Sequence, residues 1–318
     1  MPNHQLLGCL QLVKMGYEVA LAEPLLHFNL HRRPFPHDLR LLKRVLSWLG
    51  KDGILFSGHT LLYWLPALKQ LGLVQCPIVS MLYAREELDW ADTHTGILAL
   101  TPAAYQHAHA LAPKAKVEHL GWGVDLEFFD HLPYRPEWFL SCGIANRDFM
   151  TLSVAAENTG AAFRVICPGS CADLQWPSNV DVVDGGAGWL TDKAKVISPR
   201  DLLRDYFPRS AGVLIIMKSD PTEYTANGFT NLMEAMAIGQ PVIVTRTGAL
   251  PGEIDVQSVG CGLHVPPADP DALSAAIRTI AEDPTAAATM GAKGRALVEQ
   301  HYNIERCARD LHAFFESM

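Results

Sequence analysis

The chain has 318 residues, 49% of them hydrophobic, and 26 Lys and Arg against 34 Asp and Glu give it a formal net charge of -8. This length is typical of two domains rather than one. The negative charge argues against a general nucleic-acid-binding protein, because such a protein needs a broad cationic surface.

The seven cysteines are spread along the chain without a CxxC pair, which is typical of free thiols in a reducing compartment. Cys167 and Cys171 are four positions apart in the sequence, but no Cys/His pair follows at the spacing of a zinc site. No apolar run reaches the ~18 residues that a membrane-spanning helix needs, and the first residues lack the layout of a signal peptide. We therefore expect a cytoplasmic protein without a metal site.

The first part of the chain alternates short apolar runs with stretches of helical periodicity. The predicted strands cover residues 17–24, 53–58, 77–83, 96–101 and 116–123, and the predicted helices include residues 4–16 and 61–72. Apolar strands that alternate with helices predict a parallel sheet covered on both faces. A doubly wound domain normally begins with a strand, whereas this chain begins with a helical pattern, so we expect the first strand to be missing.

The alternation stops between Asp125 and Trp138, where aromatic residues and prolines cluster, and then starts again. The second set of predicted strands covers residues 138–144, 163–169, 180–185, 212–217, 241–248 and 262–267. The sequence therefore predicts an α/β protein with two Rossmann-like domains, residues 1–134 and 135–318. We expect the last helix of the second domain to pack back on the first domain.

The segment "GFTNLMEAMAIGQPVIV" (residues 228–244) predicts a loop, a short helix and a strand in succession. We expect the helix from about Thr230 to Ile238, with Thr230 as the N-cap, because Gly239 and Pro241 are residues at which helices end. In open α/β sheets, ligands bind at such junctions between a loop and a helix.

The start of this helix has the properties of an anion site. The backbone N–H groups of Phe229, Thr230 and Asn231, which follow Gly228, are expected to point toward the loop, where the helix dipole favours a negative charge. Glu234 lies one turn further along the same face. A carboxylate there either complements the helix dipole or accepts hydrogen bonds from vicinal hydroxyls, as in ribose recognition.

Several ordered motifs resemble glycosyltransferase family 4, which has the GT-B fold of two Rossmann-like domains that face a central cleft. The motifs are "LGWGVDLEFF" (120–129), "SCGIANRDFMTL" (141–152), "NLMEAMAIGQPVIVTRTGALPGEI" (231–254) and "GCGLHVPPADPDALSAAI" (260–277). The resemblance implies that a sugar moves from a nucleotide-sugar donor, a UDP- or GDP-sugar, to an acceptor hydroxyl with retention of configuration. It implies no metal and no cofactor, and it leaves the acceptor unidentified.

The resemblance also assigns the ribose to Glu234, which matches the second glutamate of a conserved pair in that family. The first glutamate of the pair falls at Ala226 and is therefore absent, and Glu223 is the nearest substitute for donor binding.

Two cations are expected at the donor diphosphate. Arg147 matches a family position in the loop "ANRDF", and a guanidinium binds phosphate oxygens in a bidentate manner. The family's usual arginine after the preceding glycine is replaced by Ile144, so Lys218, at the end of "LIIMK", is the second candidate. Lys218 could equally be a solvated residue at the end of a strand.

The family carries a catalytic histidine in its first domain, and the matching stretch has Tyr83 instead. His59 is the remaining candidate, with an ordinary structural histidine as the alternative. His4 and Asn3 precede the first helix and are placed to contact the diphosphate if the missing loop is restored.

Two other functions stay open from the sequence. One is a sugar-nucleotide isomerase or hydrolase that uses Glu223 and Asp220 as acid and base. The other is a degenerate sugar-nucleotide-binding protein without transferase activity, which the missing glutamate, the missing histidine and the missing first strand favour. The basic, aromatic segment "HRRPFPHDLR" (31–40) indicates a solvated loop, or else a contact with a membrane surface or an acidic acceptor.

Overall fold

The computed structural model describes residues 2–20, 53–57, 68–83, 91–143, 145–168, 171, 174–185, 197–219, 227–247 and 254–318. The chain divides into two compact units. The small unit contains Leu7–Trp122 and Glu305–Met318, and the large unit contains Met1–Leu6 and most of residues 123–304. The first six residues therefore belong to the large unit, which is formed mainly by the second half of the chain. The last fourteen belong to the small unit, which is formed mainly by the first half.

All ten named strands belong to two parallel sheets. They are β1 (Leu55–Ser57), β2 (Ile78–Leu82), β3 (Gly96–Ala99), β4 (Lys116–His119), β5 (Trp138–Cys142), β6 (Phe163–Cys167), β7 (Val180–Asp184), β8 (Ser210–Ile215), β9 (Val242–Thr245) and β10 (Gly262–Val265). The helices are α1 (Cys9–Lys14), α2 (Pro102–Leu111), α3 (Phe149–Thr159), α4 (Phe229–Ala237), α5 (Val256–Val259), α6 (Pro270–Glu282), α7 (Pro284–His301) and α8 (Ile304–Glu316). Shorter helical turns cover Asn3–Leu6, Ala91–Thr93, Pro199–Asp201, Leu202–Tyr206 and Phe207–Arg209.

The small unit contains a four-stranded sheet in the order β1-β2-β3-β4. Every residue of β2 and β3 is buried, which agrees with their continuous apolar sequences. Helix α2 begins with Thr101 as N-cap, whose hydroxyl accepts a hydrogen bond from the Ala104 N–H at 3.0 Å. The prediction of a parallel α/β unit is confirmed here.

Two predictions near the N-terminus need correction. The helix predicted over residues 4–16 is divided into the turn Asn3–Leu6 and helix α1, because Leu7 and Gly8 have left-handed backbone angles, with φ of 55° and 75°. The strand predicted over residues 17–24 is not formed at residues 17–20, and the other four lie outside the described residues.

The large unit contains a six-stranded sheet in the order β10-β9-β8-β5-β6-β7. The chain runs outward from β5 to β7, returns to β8 beside β5, and then runs outward to β10. This is the doubly wound order, and β5 and β8 are the two central strands at which the direction of winding reverses. Ligands of doubly wound sheets bind outside the carboxyl ends of those two strands.

The core of the large unit lies on both faces of this sheet. Strands β5, β8 and β9 are completely buried, and the buried residues of α3 and α6 pack together over one face. Helix α4 is almost entirely buried, from Leu232 to Ala237. Helix α4, which the sequence predicts as part of the ligand site, therefore belongs to the core of the large unit and is held in place by its packing.

Candidate functional site

The loops that follow β5 and β8 are joined by backbone contacts at the carboxyl edge of the large unit's sheet. Arg147 and Met217 form an isolated antiparallel bridge. The N–H of Lys218 donates to the carbonyl oxygen of Asn146 at 3.1 Å, and Asn146 has a left-handed φ of 52°. Arg147 and Lys218, two residues predicted for the diphosphate, thus lie on neighbouring loops at the point where the winding of the sheet reverses.

The guanidinium of Arg147 is buried in this edge, with 5% of the residue exposed. Its Nη2 donates to Asn231 Oδ1 at 2.6 Å, and its Nη1 donates to the Ala145 carbonyl oxygen and to Met217 Sδ, both at 2.9 Å. Within the described part of the chain, Arg147 has no acidic partner, and its Nε has no hydrogen-bond acceptor. The side chain is therefore a buried cation held by neutral groups.

Burial has electrostatic consequences for Arg147 and for its neighbour Cys142. It lowers the pKa of the Arg147 guanidinium, which nevertheless stays charged because arginine does not lose its proton in proteins. Burial raises the pKa of Cys142 to about 12, and the nearby carboxylate of Glu234 adds to this rise. A buried charge without a counterion is costly, and a bound anion would relieve that cost.

Helix α4 begins at Phe229, and its N-cap is Gly228, not Thr230 as predicted. The first bond of the helix joins the Leu232 N–H to the Gly228 carbonyl oxygen at 3.0 Å. Gly228 has a φ of 83°, and a Cβ there would lie 2.7 Å from Ile215 Cγ2. Only glycine fits this position, so the helix starts one residue earlier than expected and Thr230 lies in its first turn.

Asn231 connects this first turn to the loop of Arg147. Its Oδ1 accepts the bond from Arg147, and its Nδ2 lies 3.3 Å from Cys142 Sγ. We call Cys142, Arg147, Asn231 and Glu234 the switch-point cluster. The sequence predicts a role for the backbone of Asn231 only, and no local pattern indicates that its side chain binds a residue 84 positions earlier.

Glu234 is 3% exposed and lies on α4 one turn beyond the start of the helix. Its Oε1 is 3.3 Å from His4 Nε2. His4 is also buried, its Nδ1 accepts a hydrogen bond from the Asp125 N–H at 3.3 Å, and its ring packs against Phe129 with 5.6 Å between centroids. His4, predicted from the sequence to contact the diphosphate once the missing loop is restored, lies beside this carboxylate.

The structure describes two of the other site features discussed from the sequence, Lys218 and Tyr83. Lys218 is exposed. Tyr83, which follows β2 in the small unit, packs edge to face on Trp122 with 6.2 Å between ring centroids. His59, Ile144, Asp220, Glu223, Ala226 and the segment 31–40 lie outside the described residues.

Two classes of feature are not found in the described residues. No group of three His, Cys, Asp or Glu side chains is arranged to hold a metal ion. In the same part of the chain, no helix has both the length and the apolar composition needed to cross a membrane.

The fold is that of known GT-B glycosyltransferases. A sucrose-phosphate synthase from Thermosynechococcus elongatus superposes with a TM-score of 0.66 at 17% identity, covering 89% of this chain and 77% of that one. HepE of Anabaena, in a complex with UDP and glucose, gives 0.66 at 12% identity, with 88% and 82% covered. A glycosyltransferase from Rickettsia africae gives 0.63 at 13% identity, with 97% and 87% covered. The GT-B fold class predicted from the sequence is thereby confirmed.

The sequence itself matches a family in one region. Residues 222–297 match the model of the family "Glycosyl transferases group 1", and this region includes α4 and Glu234. No curated protein matches the chain in sequence. The chain thus combines a region similar to the group 1 glycosyltransferases with a fold similar to that of GT-B enzymes.

Proposed function

We propose that this protein transfers a sugar from a nucleotide-sugar donor to an acceptor hydroxyl, with retention of configuration at the anomeric carbon. The observation that carries the proposal is the switch-point cluster. In it Arg147, buried without an ion-pair partner among the described residues, meets the start of α4 through Asn231. The match of residues 222–297 to the group 1 glycosyltransferases supports the same conclusion.

The donor diphosphate is proposed to bind where Arg147 and the first turn of α4 meet. Both groups favour an anion, because the guanidinium carries a full positive charge and the start of a helix carries a partial one. The Nε of Arg147 is buried without an acceptor among the described residues, which adds to the cost that a bound anion would offset. Exposed Lys218 lies on the neighbouring loop and adds a second positive charge.

The ribose of the nucleotide is proposed to bind Glu234, one turn further along α4. A carboxylate accepts hydrogen bonds from both vicinal hydroxyls of a ribose, and such charge-assisted bonds are the stronger ones. The fold neighbour HepE has been captured with UDP and glucose, which supports a uridine nucleotide as the first donor to test.

The proposed chemistry requires stabilisation of the leaving diphosphate. When the bond between the sugar and the phosphate breaks, negative charge grows on the terminal phosphate oxygen. Arg147, Lys218 and the backbone N–H groups at the start of α4 would stabilise that charge where it forms, without a metal ion or cofactor. The buried guanidinium is already fixed by Asn231, so little reorganisation is needed during the reaction.

Binding of UDP-, GDP- and ADP-sugars, measured by calorimetry, tests the donor assignment. Glu234→Gln keeps the size of the buried side chain but removes its charge, and we expect it to weaken donor binding by about tenfold or more. Glu282→Ala, which removes an exposed acid at the end of α6, is the matched control and should bind like the natural protein.

Transfer itself is tested by supplying the bound donor with a panel of acceptor glycosides. The expected product is a new glycoside with the anomeric configuration of the donor, read from its NMR coupling constants. Tight donor binding without any product or hydrolysis would instead support a sugar-nucleotide-binding protein. Rearrangement or hydrolysis of the donor alone would support an isomerase or hydrolase.

A further inference from the structure

One contact of the proposed donor site comes from the very start of the chain. His4 lies in the short turn Asn3–Leu6, and its Nε2 is 3.3 Å from Glu234 Oε1, although the two residues are 230 positions apart. Both side chains are almost fully buried, with 1% and 4% of their surfaces exposed. Both belong to the large unit.

The surroundings of His4 fix which ring nitrogen carries the proton. The Asp125 backbone N–H donates to His4 Nδ1, so Nδ1 acts as an acceptor and is unprotonated. A neutral ring then carries its proton on Nε2, the nitrogen that faces Glu234. His4 therefore donates its Nε2–H to a carboxylate oxygen, and the second nitrogen holds the ring in the orientation that this requires.

The ring of His4 is also fixed by packing, since it lies against Phe129 with 5.6 Å between centroids and 37° between planes.

The side chain of Glu234 has three rotatable bonds, and without a partner its carboxylate would sample several directions. One N–H donor occupies only part of the acceptor capacity of the carboxylate, which has about four lone-pair sites. The contact with His4 thus leaves acceptor capacity on the carboxylate unused.

We propose that His4 is a positioning residue that orients the Glu234 carboxylate for the two ribose hydroxyls of the donor. This inference rests on the proposed function, because it requires that Glu234 binds the ribose. The N-terminal turn is then part of the nucleotide site, and His4 sets the preference for a ribose over a sugar without hydroxyls.

The test compares two ligands on four proteins. The ligands are the nucleoside diphosphate, among UDP, GDP and ADP, that the natural protein binds most tightly, and its 2′,3′-dideoxy counterpart. The proteins are the natural one, His4→Phe, His4→Gln and Glu234→Gln. Phenylalanine keeps the ring that packs on Phe129 but removes both nitrogens, whereas glutamine keeps an N–H donor. Dissociation constants are measured by calorimetry, and ligand-free melting temperatures show that each variant is folded.

We expect the natural protein to prefer the ribonucleotide by about tenfold or more. The preference should fall to about twofold or less in His4→Phe and in Glu234→Gln, and His4→Gln should retain most of it. Affinity for the dideoxy ligand should change little in His4→Phe, because that ligand makes no bond to the carboxylate. If His4→Phe does not fold, His4→Ala replaces it in the same comparison.

Three results would contradict the inference in distinguishable ways. An unchanged preference in His4→Phe, with the preference lost in Glu234→Gln, would show that the carboxylate needs no positioning by His4. Tighter ribonucleotide binding by His4→Phe would show that His4 competes with the ribose. Absence of binding of all three nucleoside diphosphates to the natural protein would overturn the proposed function itself and the inference with it.

Discussion

Arg147 Nη2 lies 2.6 Å from Asn231 Oδ1, and this bond ties the loop after the first strand of the large unit to the first turn of α4. The two residues are brought together because β5 and β8 are neighbours in the doubly wound sheet. A buried cation thus lies beside the positive end of a helix. Such a pair repels in the absence of a ligand, and an anion bound near both is stabilised by both.

Replacing Arg147 should separate phosphate binding from binding of the rest of the nucleotide. We expect Arg147→Met, which keeps much of the side-chain volume, to weaken binding of a nucleoside diphosphate by about tenfold or more. Affinity for the corresponding nucleoside should stay within about twofold. Calorimetry with both ligands measures this, and Arg278→Ala, at an exposed arginine of the same unit, serves as control. Equal losses for both ligands would mean that Arg147 maintains the fold rather than binding phosphate.

Gly228→Ala should destabilise the protein more than the same change at Gly160. Both glycines cap a helix with left-handed backbone angles, with φ of 83° and 65°. A Cβ at Gly160 meets nothing within 4 Å, whereas at Gly228 it meets Ile215 Cγ2 at 2.7 Å. We expect Gly160→Ala to lower the free energy of unfolding by about 1 kcal/mol, and Gly228→Ala by about 2 kcal/mol more. Urea denaturation provides both values, and equal values would show that the contact with Ile215 relaxes freely.

A second pair of glycines tests the packing of α7 against the end of α4. A Cβ at Gly291 would lie 1.8 Å from the Gly239 carbonyl oxygen, which is a backbone atom and has little room to shift. At Gly294 the nearest atom is Met236 Cγ at 3.1 Å, in a flexible side chain. We expect Gly291→Ala to lower the free energy of unfolding by more than about 3 kcal/mol and Gly294→Ala to stay within about 1 kcal/mol of the natural protein. Similar denaturation midpoints for the two variants would contradict this packing.

The thiol of Cys142 should make the stability of the fold depend on pH in the alkaline range. Burial raises its pKa from 9.0 to about 12, so the folded state holds this proton more tightly than the unfolded state. The stability that results is fully present below pH 9 and is lost as the pH rises through 12. The expected slope is about 1.4 kcal/mol per pH unit for one such group.

Comparison of Cys142→Ala with the natural protein by urea denaturation between pH 8 and 10.5 measures this contribution. The variant should lose less stability over that range. The raised pKa values of Cys167 and Cys261, both about 11, act in the same direction and remain in both proteins. Cys171→Ala, at a partly exposed thiol, is the control. Parallel stability curves for the natural protein and Cys142→Ala would show that this thiol ionises without opposing the fold.

The strands and the helix end that depend on the order of neighbouring residues were predictable from the sequence. Continuous apolar runs between helical stretches identified both parallel sheets, because a strand buried on two faces needs apolar side chains in every position. The end of α4 was predicted correctly from Gly239, which has a φ of 81°. The break at Leu7 and Gly8 and the cap at Gly228 were missed, since neither has the polar side chain that usually indicates a helix start.

The contacts that make the candidate site were decided only by the tertiary structure. Sequence alone determined that a glutamate follows a helix start and that an arginine follows a strand, because these are relations between near neighbours in the chain. The bond from Arg147 to Asn231 and the bond from His4 to Glu234 join residues 84 and 230 positions apart. Such pairs depend on which strands are neighbours in the sheet and on where the N-terminal turn packs in the large unit. The hydrophobic periods of 2 and 3.6 residues identify strands and helices but carry no information about how these elements are arranged.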